Sequence, residues 1–263
     1  MWGIIPAAGR GTRMQPLGFS KELLPLGSRD EGGEEHPLAV SEHLLERMVL
    51  SGADKICFVI APGKTDILHY FGGRYSKADI LYAVQPEPLG LCDSLFRSVH
   101  VLDRNDDVLI GLPDTVWFPK TAYLELPRCG LAFVLFPVQQ PELFDAVVTD
   151  ERNRVIEIQV KSAEPKTRWV WGAIKLTGAV FQDLHHLWIA RQRADEYLGT
   201  LVNAYLKAGG EAFGFKVGTA YADVGTPTGY RDAMRALSPP PPAIEYQGFI
   251  AQFGDTVGRP GSC

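Results

Sequence analysis

The chain has 263 residues, of which 46% are hydrophobic and 22% charged, the composition of a globular protein with one large core. Its formal net charge is −5 at pH 7. We therefore expect no nucleic-acid partner, because phosphate backbones attract basic surfaces.

Two further patterns limit the location and the cofactors. No apolar run approaches the roughly 20 residues that a membrane helix needs, and the first residues resemble a strand rather than a signal peptide. The four cysteines, Cys57, Cys92, Cys129 and Cys263, form no CxxC pair and predict neither zinc nor a disulfide framework. We expect a cytoplasmic protein without a membrane partner.

The first 25 residues contain the most informative motif. Residues 2–5 predict a buried strand, and the turn after it reads Ala7-Ala8-Gly9-Arg10-Gly11-Thr12-Arg13. Glycines let a backbone approach a ligand closely, and successive N–H groups in such a turn can form an anion site. Arg13 and Lys21 add two positive charges. The combination suits a polyphosphate, whereas the dinucleotide fingerprint fails because Met14 stands where its third glycine belongs.

The next hundred residues alternate helix and strand. The periodicity predicts helices over residues 38–51 and 62–71 and from about residue 90, with strands over 55–60, 80–84 and 108–112. This alternation predicts a mostly parallel sheet. The polar, acidic stretch over residues 27–37 predicts a mobile surface loop. Gly63-Lys64-Thr65 is similar to part of a P-loop, but Phe58 stands where the Walker A motif requires its first glycine.

Two segments after strands carry candidate site residues. Gln85 and Gly90 flank a proline-rich turn that includes Pro88. A glutamine amide both donates and accepts hydrogen bonds, as reading a pyrimidine edge requires, and Gly90 would allow a base to lie flat against the backbone. Asp114 follows a central strand, at the edge where α/β sheets bind their ligands.

The second half of the chain has a different pattern. It predicts strands over residues 131–138, 155–160, 169–176 and 211–217 and a turn over 150–153. It also predicts helices over residues 178–191, 197–208 and about 227–237. Four consecutive prolines within residues 238–242 predict a stiff linker before a short tail.

Four of these segments together resemble the sugar-1-phosphate nucleotidyltransferase family, which includes thymidylyltransferases and uridylyltransferases. They are the glycine-rich stretch over residues 9–25, the Gln85 to Leu91 segment, Leu112-Pro113-Asp114 and residues 221–227, which read YADVGTP. The resemblance covers about the first 235 residues. It implies an α/β fold of Rossmann-like, GT-A-like type, with a mostly parallel mixed sheet flanked by helices and a smaller antiparallel sugar-binding part.

The resemblance implies a reaction between UTP or dTTP and a sugar-1-phosphate, which gives an NDP-sugar and pyrophosphate. It assigns catalysis to Arg13, Lys21 and Asp114, and Mg²⁺ binding to Asp114 and Asp223. The nucleotide would contact Ala8, Gly9, Gly11, Thr12, Gln85, Pro88 and Gly90. The sugar would contact Gly172, and the sugar phosphate would contact Lys161. Val160 stands where the family has a sugar-binding glutamate, so the identity of the sugar stays open. Cys92-Asp93 stands where the family often has Ala-Gln, so the details of the base and sugar contacts stay open as well.

Several alternatives remain at this stage. We expect a nucleotidyltransferase domain over residues 1–237 and a linker with a tail over 238–263, and homo-oligomerisation is left open. A non-catalytic member of the same fold would bind an NDP-sugar without turnover. A P-loop kinase or NTPase would instead use Lys64 and Thr65. The Leu-Pro-Asp form of the third motif resembles that of uridylyltransferases and slightly favours UTP over dTTP.

Overall fold

The structure is a computed structural model that describes residues 1–128 and 130–237. Its strands are β1 (Trp2–Pro6), β2 (Pro25–Glu31), β3 (Glu34–Ala39), β4 (Lys55–Ile60), β5 (Arg74–Tyr75), β6 (Ala78–Val84), β7 (Asp107–Gly111), β8 (Thr115–Phe118), β9 (Leu131–Pro137), β10 (Asp145–Thr149), β11 (Val155–Val160), β12 (Trp169–Thr177), β13 (Phe213–Phe215) and β14 (Ala220–Asp223). The helices are α1 (Val40–Leu50), α2 (Thr65–Phe71), α3 (Gly90–Phe96), α4 (Gly178–Ala190), α5 (Leu198–Lys207) and α6 (Pro227–Leu237). The predicted linker and tail over 238–263 lie outside the described residues.

Ten strands form one mixed sheet. Its order is β11-β10-β12-β7-β1-β4-β6-β5, and β9 pairs with both β12 and β13. The central strands β7, β1, β4 and β6 run parallel to one another, whereas β12 is antiparallel to β7 and β5 is antiparallel to β6. This arrangement confirms the predicted α/β fold. The antiparallel part continues the same sheet through β12, β9, β10 and β11.

The core lies on both faces of this sheet. Ile4 of β1 packs in a cluster with residues of α3, α4 and α5, and its neighbour Ile5 packs in a second cluster with residues of α1. Successive strand residues point to opposite faces, so a strand covered on both sides is apolar throughout. This explains why residues 2–5 show no polar alternation.

The prediction of a mobile surface loop over residues 27–37 is wrong, because this stretch forms a hairpin of β2 and β3. Gly32 and Gly33 form its turn with φ angles of +69° and +92°. The base of the hairpin is packed rather than free: Leu26 is fully buried, and the Tyr230 hydroxyl of α6 donates to the Pro25 carbonyl at 2.6 Å. The sequence did not predict this strand pair because the stretch is acidic and contains glycines, and only one face of the hairpin makes apolar contacts.

Two short strands that the sequence did not predict determine the position of the site. Strand β14 pairs antiparallel with β8, and Asp223 lies opposite Thr115. This pairing brings the chain after residue 220 back to the end of β7. Within the described residues, no helix is both long and apolar enough to cross a membrane.

Candidate active site

The site lies at the carboxyl edge of the parallel strands, where the topology brings separate sequence motifs together. The turn with Gly9, Gly11 and Arg13 follows β1, Gln85 follows β6, and Asp114 comes shortly after β7. The carboxyl ends of parallel strands meet at one edge, which is where open α/β sheets bind ligands.

A charged centre forms where β14 returns to this edge. The Lys21 ammonium donates to the Asp114 carboxylate, and Arg13 Nη1 lies 3.8 Å from Asp223 Oδ2. The backbone N–H of Val224 donates to the Asp114 carbonyl at 2.8 Å, which fixes the two acidic residues side by side. Two basic and two acidic side chains from three distant segments thus converge.

The glycine at position 225 marks the point on which three of these four groups converge. A methyl group added there would lie 2.8 Å from Asp223 Oδ1, 3.0 Å from Asp114 Oδ2 and 3.1 Å from Arg13 Nη2. The Gly225 N–H also donates to Asp223 Oδ1 at 2.8 Å, which orients that carboxylate. The YADVGTP motif predicted Asp223, but sequence reasoning gave Gly225 no role of its own.

Burial and mutual repulsion set the electrostatics of the centre. Burial raises the pKa of Asp223, and the neighbouring Asp114 carboxylate raises it further. Burial alone would lower the pKa of Lys21, but the ion pair with Asp114 outweighs it, so the pKa of Lys21 is raised. Two adjacent carboxylates of this kind are stabilised by added positive charge.

The donor set suits a hard divalent cation that also contacts a ligand. Among residues 1–128 and 130–237, no three acidic, histidine or cysteine side chains group as a complete metal site. Asp114 and Asp223 supply two carboxylates, and Mg²⁺ is commonly held by one or two carboxylates, with phosphate oxygens and water completing the octahedron. The residues present therefore fit Mg²⁺ bound together with a nucleotide.

A cleft of about 510 Å³ lies beside the charged centre. It is lined by Pro6, Gly9, Arg10, Thr12, Gln85, Pro88, Gly90, Leu91, Ser94 and Glu196. The structure thus brings five of the seven predicted nucleotide contacts to one cavity. Sequence reasoning missed Ser94 and Glu196, and no local pattern identifies Glu196, which reaches the cleft from the loop before α5.

The other two predicted nucleotide contacts, Ala8 and Gly11, do not line the cleft. Ala8 is buried, with 3% of its surface exposed. Gly11 has a φ of +60°, and a methyl group on it would lie 2.9 Å from the Lys21 side chain. A glycine is needed at this position because the backbone is left-handed and the lysine passes directly over it.

Lys64 is not available for phosphate binding. Its ammonium donates to both carboxylate oxygens of Glu22 and to the Ala7 carbonyl, each at 2.8 Å. Glu22 is 1% exposed and Lys64 13%. The P-loop interpretation is therefore wrong, because this lysine, at the start of α2, is held by a buried ion pair with Glu22 and by a hydrogen bond to the Ala7 carbonyl.

Replacing Lys64 by alanine is accordingly expected to lower the free energy of unfolding by about 3 kcal/mol, because the Glu22 carboxylate would be left buried without its partner. Urea unfolding monitored by circular dichroism measures this change. Lys120→Ala is the matched control, because its pair with Glu46 is about half exposed on both sides and should contribute less than about 1 kcal/mol. Equal effects of the two substitutions would contradict the structural role.

The predicted sugar contact Gly172 and the predicted sugar-phosphate contact Lys161 do not line this cleft. Lys161 places its ammonium 4.6 Å from the centroid of the Tyr197 ring and has a left-handed φ of +44°. Gly172 faces Tyr221, whose Cε2 would lie 2.4 Å from an added methyl group. Within the described residues, the immediate contact of Gly172 is therefore an aromatic ring that supports β14.

Gly172→Ala should destabilise the protein by about 1–3 kcal/mol, because Tyr221 and Phe136 leave no room for a methyl group. Thermal unfolding measures the loss. Gly73→Ala is the control, since nothing lies within 4 Å of its added methyl group. An unchanged melting temperature for Gly172→Ala would show that β14 does not depend on this contact.

Comparison with known proteins places the chain in a family. The family model "Nucleotidyl transferase" matches residues 2–239. A glucose-1-phosphate thymidylyltransferase of Neisseria meningitidis is 30% identical over 80% of this chain and 72% of its own length. A UTP–glucose-1-phosphate uridylyltransferase of Haloferax volcanii is 24% identical over 90% of this chain and 96% of its own.

Solved structures share the fold. A Bacillus anthracis structure in complex with a sucrose superposes with a TM-score of 0.76 at 23% identity, covering 90% of this chain and 95% of that one. A UTP-bound UGPase from Acinetobacter baumannii gives a TM-score of 0.69 at 19% identity over 89% and 92% of the two chains. With its motifs gathered at the carboxyl edge of this sheet and a family match over nearly all of the described residues, the chain belongs to the nucleotidyl transferase family.

Proposed function

We propose that this protein is a Mg²⁺-dependent enzyme that joins UTP or dTTP to a sugar-1-phosphate and releases pyrophosphate. The observation that carries the proposal is the convergence of Arg13, Asp114 and Asp223 on one point beside the cleft, with Lys21 paired to Asp114. The names of the two curated relatives, a thymidylyltransferase and a uridylyltransferase, support these two nucleotides.

The reaction needs positioning and charge neutralisation more than proton transfer. An oxygen of the sugar-1-phosphate attacks the α-phosphorus of the nucleotide, a new P–O bond forms, and the bond to the bridging oxygen breaks. Pyrophosphate leaves with that electron pair. The nucleophile is already an anion, so no strong general base is required. The main barrier is repulsion between anions that must be held in line.

Each charged residue of the centre has a defined part in this step. Lys21 and Arg13 place positive charge beside the triphosphate, where negative charge moves onto pyrophosphate. Asp114 and Asp223 would hold the Mg²⁺, which supplies several kcal/mol of neutralisation at the reacting phosphates when bound. Lys161, at the antiparallel end of the sheet, would contact the sugar phosphate.

A substrate screen identifies the nucleotide and the sugar. Pyrophosphate release is measured with Mg²⁺, each common NTP in turn and a panel of sugar-1-phosphates. We expect release with UTP or dTTP and one sugar-1-phosphate. Saturable binding of an NDP-sugar with no release from any pair would instead indicate a non-catalytic member of the family.

A further inference from the structure

Helix α2 holds the short turn that carries Lys21. We propose that Asp66 of this helix is a positioning residue for the reaction: it anchors Ser20, the residue before Lys21, so that the Lys21 ammonium is held beside Asp114. This inference rests on the proposed function. It extends the set of residues that support catalysis to α2, on which none of the four charged residues of the centre lies.

The carboxylate of Asp66 binds Ser20 through both of its oxygens. Asp66 lies in the first turn of α2. The backbone N–H of Ser20 donates to Oδ2 at 2.6 Å, and the hydroxyl of Ser20 donates to Oδ1 at 2.7 Å. Burial alone would raise the pKa of Asp66, but the hydrogen bonds from Ser20 outweigh it and lower the pKa. Hydrogen bonds to an ionised acceptor are the stronger kind, so they hold the backbone directly before Lys21 firmly.

The residue after Lys21 is fixed as well. Glu22 is 1% exposed, and its carboxylate pairs with the Lys64 ammonium at the start of α2. The Glu22 carbonyl accepts a hydrogen bond from the Ser41 hydroxyl of α1 at 2.7 Å. The turn is therefore held on both sides of Lys21, while the Lys21 side chain extends to the Asp114 carboxylate.

This anchoring determines where the Lys21 ammonium can lie. A lysine has a flexible four-carbon stem, so its ammonium is placed by its backbone and by what the stem packs against. The stem of Lys21 passes over Gly11, where an added methyl group would lie 2.9 Å from Lys21 Cδ. A shift of the turn would move the ammonium relative to Asp114, and a displacement of about 1 Å in catalytic geometry can cost about two orders of magnitude in rate.

Steady-state kinetics with the nucleotide and sugar-1-phosphate that the screen identifies test the proposal. Asp66→Ala should lower kcat by at least about tenfold and change the KM for the nucleotide by less than about threefold, because Lys21 acts on charge that develops in the transition state. Asp66→Asn should stay within about threefold of the native kcat, since its amide oxygen accepts from the Ser20 N–H and its NH₂ group donates to the Ser20 hydroxyl oxygen.

Asp150→Ala is the matched control for the loss of an anchoring carboxylate. The Asp150 carboxylate also accepts from two backbone N–H groups, those of Arg152 and Arg154, each at 2.8 Å. These bonds hold the turn between β10 and β11, so the substitution should leave kcat unchanged.

A double substitution separates positioning of Lys21 from a general effect on the fold. Lys21→Met retains most of the side-chain stem and removes its charge. In this background Asp66→Ala should lower kcat by no more than about twofold, because two residues that act through one contact are not additive. A native kcat for Asp66→Ala, or its full effect in the Lys21→Met background, would overturn the inference.

The acetylation rate of Lys21 tests the positioning without turnover. The full chain is treated with limiting acetic anhydride, and the modification of each lysine is quantified by mass spectrometry. Lys21 is 13% exposed and paired, so Asp66→Ala should raise its rate by at least about threefold, because burial and an ion pair both protect an amine. Lys120, which is about half exposed, should react equally in both proteins.

The two readouts distinguish this inference from the proposed function. An unchanged acetylation rate of Lys21 in Asp66→Ala would overturn the inference and leave the proposed function standing. Absence of pyrophosphate release by the native chain with every pair would overturn the proposed function, and the acetylation rates would still decide whether Asp66 positions Lys21.

Discussion

Asp114→Asn is expected to lower the rate of pyrophosphate release by about a thousandfold, while the fold is retained. Removing one preorganised electrostatic contact from a charged transition state commonly costs a factor of about 100 to 1,000, and a lost metal ligand adds to this. The substitution keeps the shape of the side chain and removes its charge. It also leaves the Lys21 ammonium without its carboxylate partner.

The position of Asp114 explains why the effect should be this large. Its carboxylate contacts Lys21, and it lies beside Asp223 at the point where Arg13 also arrives. One neutral amide therefore changes the charge around the lysine, the second carboxylate and the proposed metal position together. The Mg²⁺ concentration for half-maximal rate should rise as well, because one of the two proposed metal ligands would become a weaker donor.

Initial rates at saturating substrates and a Mg²⁺ titration measure both effects. Asp183→Asn is the matched control, because its 3.3 Å pair with Arg104 is about half exposed on both sides and lies on the distant helix α4. It should leave the rate and the Mg²⁺ dependence unchanged. A rate for Asp114→Asn within about tenfold of the native enzyme would contradict the assignment of this residue to the metal.

Gly225→Ala is expected to lower the rate by about a hundredfold with little change in stability. The added methyl group would meet the charged ends of Asp223, Asp114 and Arg13 at 2.8–3.1 Å. Those ends can move outward, so the fold survives, but the distances between them change. A displacement of about 1 Å in catalytic geometry can cost about two orders of magnitude in rate.

This substitution separates the geometry of the centre from its composition, since all four charged residues remain. Gly73→Ala, which has nothing within 4 Å of the added methyl group, controls for the loss of a glycine. Steady-state kinetics and thermal unfolding of the two variants are compared. Full activity of Gly225→Ala would show that the three side chains need not meet at this point.

Much of the fold follows from the sequence because buried parallel strands are apolar on both faces. Strand β4 has the predicted bounds, and β1 and α3 begin where the sequence indicates. The hairpin of β2 and β3 was missed because its residues are mostly polar and only Leu26 and Ala39 are buried. Strands β8 and β14 are only four residues each, so neither shows a periodicity of its own.

The sequence identified the residues of the candidate site better than it identified the contacts between them. The motifs gave Arg13, Lys21, Asp114 and Asp223, but only the pairing of β14 with β8 brings the last of these beside the others. Such long-range pairing leaves no local signal in the chain. The sequence also did not identify the partner of Lys64. Glu22 lies 42 residues away in the sequence, and the residues next to it do not indicate that it is buried.

The most direct test of the central claim is the stoichiometry of products with one nucleotide and one sugar-1-phosphate, followed by mass spectrometry with and without Mg²⁺. The account predicts NDP-sugar and pyrophosphate in equal amounts, with neither formed when EDTA removes the metal. Formation of inorganic phosphate in place of pyrophosphate, or equal turnover in EDTA, would contradict it.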